Sequence, residues 1–140
     1  RNLPTGDRVD LDRLASQANC RQSHPCTPSE LTRVTATRPW GGNNPVWRPY
    51  AYGPLRALDP ALPATVPIYV VAMIGDDPGE MDGDPEVDGG GPGEEGLGRV
   101  ALRGYALGPR GDLLAVEAIV ERVASNGVRI VSWTIQFAGV

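Results

Sequence analysis

The sequence predicts an α+β, mostly β domain, a four-stranded antiparallel meander behind an irregular N-terminal region. Three observations carry this reading. Apolar alternation is confined to the second half of the chain. Eighteen glycines and 14 prolines in 140 residues favour irregular connections over helix. Turn signals separate the apolar runs at strand-length intervals.

The first strand is expected over about Val66 to Gly75, around the β-prone run Ile68-Tyr69-Val70-Val71-Ala72-Met73-Ile74. The second spans about Gly98 to Leu107 and ends at the turn Gly108-Pro109-Arg110-Gly111. The third spans about Leu113 to Val123, with Leu114, Val116, Ala118 and Val120 opposite Glu117 and Glu121. Its Ala, Leu and Glu would also suit a helix, but a Gly-Pro turn before it and Asn126-Gly127 after it favour a strand. The fourth spans about Val128 to Phe137, with Val131, Trp133, Ile135 and Phe137 on one face and Arg129 breaking the pattern.

Residues 1–140 are read as one domain, residues 1–65 irregular and 66–137 the sheet. One helix is expected at Leu11 to Ala18, capped by Asp10 and ended by Asn19. The turn-rich stretch from Arg38 to Tyr50 carries Trp40 and Trp47, which are expected to seal a core edge rather than to form a ligand platform. That short helix cannot cover the face bearing Trp133, so a longer helix is expected ahead of Arg1 to pack there.

Charge is distributed unevenly. Gly75 to Glu95 holds nine of the 17 acidic residues and no basic one, whereas all 13 basic residues are arginines lying elsewhere. The acidic balance, without a basic face, argues against nucleic acid. No apolar run approaches the roughly 20 residues of a membrane-spanning helix. Cys20 and Cys26 can close a small ring, and a disulfide is expected over free thiols; two sulfurs and His24 are too few for zinc.

Four segments together resemble the C-terminal globular domain of type IV minor pilins of the PilX kind. They are Ile68–Ile74 running into Gly75-Asp76-Asp77-Pro78 and Asp82-Gly83-Asp84-Pro85; Arg103-Gly104-Tyr105-Ala106-Leu107 with its Gly-Pro-x-Gly turn; Val116-Glu117-Ala118-Ile119-Val120-Glu121-Arg122; and Val128-Arg129-Ile130-Val131-Ser132-Trp133. The likeness covers about Val66 to Phe137. It implies a pilin-like head domain lacking its long N-terminal helix, which anchors the precursor in the inner membrane and later packs in the fibre. It further implies a non-enzymatic subunit at the periplasmic face of the inner membrane and in the extracellular pilus, with other pilin or minor pilin subunits as partners and no small-molecule substrate.

The acidic stretch is the place to look for a cofactor. Asp84, Glu86, Asp88, Gly89 and Glu95 fall at positions 1, 3, 5, 6 and 12 of a calcium-loop template, with Asp76, Asp77 and Asp82 nearby and Glu80 in a second set. No helices are expected to flank it, and the alternative is a solvated acidic loop. Calcium would make the chain an extracellular binding or adhesion module. A carboxylate hydrolase, with Asp82 and Asp84 near Trp40, Trp47 and Tyr50, ranks last because no nucleophile–base pair accompanies it. If calcium binds, millimolar calcium raises the melting temperature by mass action, and Asp84→Asn with Asp88→Asn abolishes most of the rise. A melting temperature indifferent to calcium leaves a solvated loop.

Overall fold

The computed structural model describes residues 9–63, 65–81, 84, 96–110, 112–124 and 126–137. Asp10 starts the first helix, α1 (Leu11–Cys20), its carboxylate accepting from the Arg13 N–H at 3.0 Å. Arg21 ends α1 in the left-handed conformation and donates its N–H to Gln17 O. A guanidinium nitrogen of Arg38 then donates to Ala18 O at 2.7 Å and Asn19 O at 3.0 Å, satisfying carbonyls that a helix end leaves open.

A second helix, α2 (Pro28–Ala36), lies within the stretch expected to be irregular. Thr27 and Glu30 form a reciprocal capping box, and Pro28 occupies the first turn, where its missing N–H costs nothing. The Cys20–Cys26 disulfide joins the end of α1 to the approach to α2, with Cα atoms 6.0 Å apart. So small a ring contributes about 2 kcal/mol by restricting the unfolded chain.

The sheet has five strands rather than four: β1 (Arg48–Pro54), β2 (Tyr69–Asp76), β3 (Arg99–Leu107), β4 (Leu113–Val123) and β5 (Gly127–Phe137). They lie in sequence order, and each neighbouring pair is antiparallel. The α+β, mostly β class holds, as do the last three strand positions to within a residue or two. The unexpected strand β1 contains Pro49, Gly53 and Pro54 and a register irregularity at Tyr50. Such residues are tolerated because β1 is an edge that need satisfy only one neighbour. Asn126, at φ 58°, supplies the positive φ of the β4–β5 turn.

Register assigns the two faces. Tyr69, Val71 and Met73 of β2 share one face with Ala101, Tyr105 and Ala115 and form the core with Trp47, Val9 and Ala18. Leu11, Leu14 and Ala15 of α1 pack on this cluster, so α1 covers the face opposite Trp133. The short helix α1 therefore does not lie against the Trp133 face. It covers the other face because the apolar side of its short length meets the buried Tyr69–Met73 row.

Trp47 and Pro45 reach the core through a missing side chain. A Cβ at Gly75 would lie 2.7 Å from Pro45 Cβ and 3.4 Å from the Trp47 ring. Gly75→Ala should therefore lower stability by about 1–3 kcal/mol, the cost of overpacking. Urea unfolding checks this; an unchanged midpoint would show that Pro45 yields freely.

Candidate functional site

The second sheet face is apolar and lacks cover among the described residues. Its rows are Val70–Ala106–Leu114, Ala72–Gly104–Val116–Ile135 and Ile74–Leu102–Ala118–Trp133, and Phe137 is in register with Leu114. Val131, expected on this face with Trp133, falls instead where the β4–β5 register shifts. Ile119 pairs with Ser132 and Val120 with Ile130, so Ile130 takes its place in the row.

The centre of this face is a trough. Small residues, Ala51, Ala72, Gly104 and Ala106, line a hollow of about 280 Å³ edged by Leu58, Leu114 and Val116. Gly104 has room for a larger side chain: a Cβ there meets nothing closer than a carbonyl oxygen at 4.0 Å. Beside the trough Trp133 is 63% exposed and Ile130 62%. Contiguous exposed apolar surface of this kind marks an interaction site.

At the β2 end, the acidic connection begins inside the fold. Asp76, Asp77 and Glu80 are all buried. The Asp77 carboxylate accepts from Gly79 N–H at 2.9 Å, and the Glu80 carboxylate accepts from Leu97 N–H, so Glu80 ties the start of the connection to its end. Backbone donors therefore occupy two carboxylates that were candidate cation ligands. Asp84 is exposed, and Asp82, Glu86, Asp88 and Glu95 lie outside the described residues. No group of three or more His, Cys, Asp or Glu able to hold a metal is found among the described residues.

The aromatic pair separates. Trp47 is 5% exposed and belongs to the core, as expected of a sealing residue, whereas Trp40 stands largely in solvent. His24 is an exposed loop residue 3.8 Å from Glu30.

Arg129, the break in the β5 pattern, sits opposite Glu121 in the neighbouring strand. Arg129 donates to the Glu121 carboxylate, which also meets Arg99 at 3.4 Å, and Arg103 meets Glu117 at 2.7 Å. This ionic ladder shares its face with the core, so the centre of the open face is left uncharged, with Arg122 only at the far end of β4.

No family model matches the chain, and no curated protein or solved structure is similar enough to count as a relative. The functional reading rests on the site itself.

The Arg129 hydrogen bond, aided by the Arg129 and Arg99 charges, holds the Glu121 carboxyl below its usual pKa against the opposing effect of burial. A lowered folded pKa means that the ladder's contribution is present above the ordinary glutamate range and is lost as pH falls through the folded value. Carboxyl NMR titration should place Glu121 below an unfolded-peptide reference, and Arg129→Ala should move it back up. A wild-type midpoint at or above the reference would contradict the ladder.

Proposed function

We propose that the chain is the head domain of a type IV minor pilin or pseudopilin, a structural subunit that takes part in pilus assembly or stands at the fibre tip. The observation that carries this is the apolar trough on the open sheet face. A five-stranded meander packed on one side by its own short helix and left apolar on the other suits a subunit that seats a further apolar element. The small residues at the trough floor let a helix backbone approach closely, while Leu58, Leu114 and Val116 stand at its sides. In the pilin reading the occupant is the long N-terminal helix, which also anchors the precursor in the inner membrane. The order of the four pilin-like segments along β2 to β5 supports the same reading.

On this reading the protein is not an enzyme. It works at the periplasmic face of the inner membrane and in the extracellular fibre, with other pilins as partners. An oxidising compartment suits the Cys20–Cys26 disulfide.

The test compares this domain with the protein carrying an apolar helix ahead of Arg1, in detergent. Burying the trough at about 25 cal/mol per Å² of apolar area should raise the denaturation midpoint of the longer form. Gly104→Val, which meets open space in the domain alone, should leave the domain's own midpoint nearly unchanged but remove the gain. Equal midpoints for the two unsubstituted forms would refute the reading.

A further inference from the structure

On the helix-covered side of the sheet, a cleft of about 560 Å³ opens between the C-terminal end of α1, the segment 38–47, and strands β3 to β5. That volume is in the usual range of ligand sites, roughly 300–1,000 Å³. Three arginines line it, Arg21, Arg38 and Arg103, against one lining carboxylate, Glu117.

Those charges are not equivalent. Arg103 is spoken for: it pairs with Glu117 at 2.7 Å, and its guanidinium lies over the Trp47 ring at 5.4 Å from the centroid. Arg38 is half-buried, and its hydrogen bonds go to the neutral carbonyls of Ala18 and Asn19. It forms no ion pair among the described residues. Burial first, then the neighbouring Arg103 and Arg21 charges, hold the Arg38 guanidinium below its usual pKa, against the smaller opposing pull of Glu117. An arginine nevertheless stays protonated. Positive charge that is partly desolvated and crowded by like charges is relieved by an anion.

The walls narrow the choice of anion. Trp40, Pro39 and Pro45 give the cleft an apolar side, and Trp40 is 54% exposed. A bare inorganic anion would fill little of this volume and would leave those residues uncovered. A polyphosphate would crowd several charges against Glu117, whereas a peptide can set one carboxylate at Arg21 and Arg38 and keep its other charges in solvent.

We propose that this cleft binds an acidic peptide segment, one carboxylate bridging Arg21 and Arg38 while the adjoining chain lies along Trp40 and the two prolines. The planar guanidinium of Arg38, already oriented by the two carbonyls, presents its remaining donors in a fixed fork suited to a carboxylate. The proposal does not rest on the pilin reading, although Ala118 and Trp133 of the open-face rows also border the cleft.

Calorimetric titration with a capped hexaglutamate peptide tests it, with capped hexalysine, acetate and inorganic phosphate as comparisons. Hexaglutamate should bind at low ionic strength and weaken as salt rises, since exposed charges are screened. Arg21→Gln and Trp40→Ala, both at exposed positions, should each weaken binding about tenfold, a change of about 1.4 kcal/mol. In the unsubstituted protein the peptide should shift the Arg38 side-chain N–H resonance, a readout that needs no variant to fold. The proposal is overturned if hexaglutamate gives no binding at millimolar concentration, if phosphate or acetate binds as tightly, if neither variant weakens binding, or if the Arg38 resonance does not move.

Discussion

The fold turns on a pair of hydrogen bonds from one asparagine. The Asn19 side chain donates to Trp47 O at 2.9 Å and accepts from Trp47 N–H at 2.7 Å, so an amide at the end of α1 pairs with the backbone just before β1 as a neighbouring strand would. The clamp spans 28 residues and satisfies two backbone groups that would otherwise be lost to water on burial. It sets Trp47 into the core and brings Pro45 against Gly75. The disulfide then holds the approach to α2, and Arg38 holds the end of α1. Among the described residues, this clamp joins the end of α1 directly to the backbone at the start of the first strand.

The consequence is a sheet with two unlike faces. One is packed by α1 and, where α1 stops, carries ionised pairs and a basic cleft. The other is apolar across its centre, built there from alanine, glycine and aliphatic residues, with Asp76 and Arg122 only at one end of its middle strands. Alternation within each strand produces the difference, since a side chain's face depends only on its parity along the strand. The two described ends of the acidic connection are tied together where the Glu80 carboxylate accepts from Leu97 N–H.

Much of this was legible in the residues, for physical reasons. Tight turns separate β3, β4 and β5, and α1 has an Asp cap and an apolar stripe, so local pattern and tertiary packing agree. The β1 strand was not legible, because Pro49, Gly53 and Pro54 signal turns and only the neighbouring β2 makes an edge strand of them. For α2 a local signal did exist, Thr27-Pro28-Ser29-Glu30, but the helix offers the core little beyond Val34, and apolar periodicity passes over it. The place of Val131 depends on a register shift that alternation does not encode. The arginine cleft assembles Arg21, Arg38 and Arg103 from an α1 cap, a loop and a strand, and no spacing along the chain announces that.

The two rims of the sheet are also unlike. The outer side of β1 is blunted by two prolines and an irregularity, and it ends after seven residues. That of β5 runs for 11 residues with Arg129 as its sole charge and no proline. Hydrogen-bonded extension is thereby closed in one direction and open in the other, which gives the domain a polarity independent of any particular ligand. Among the described strands, β5 thus presents the long, proline-free rim and β1 the short, blunted one.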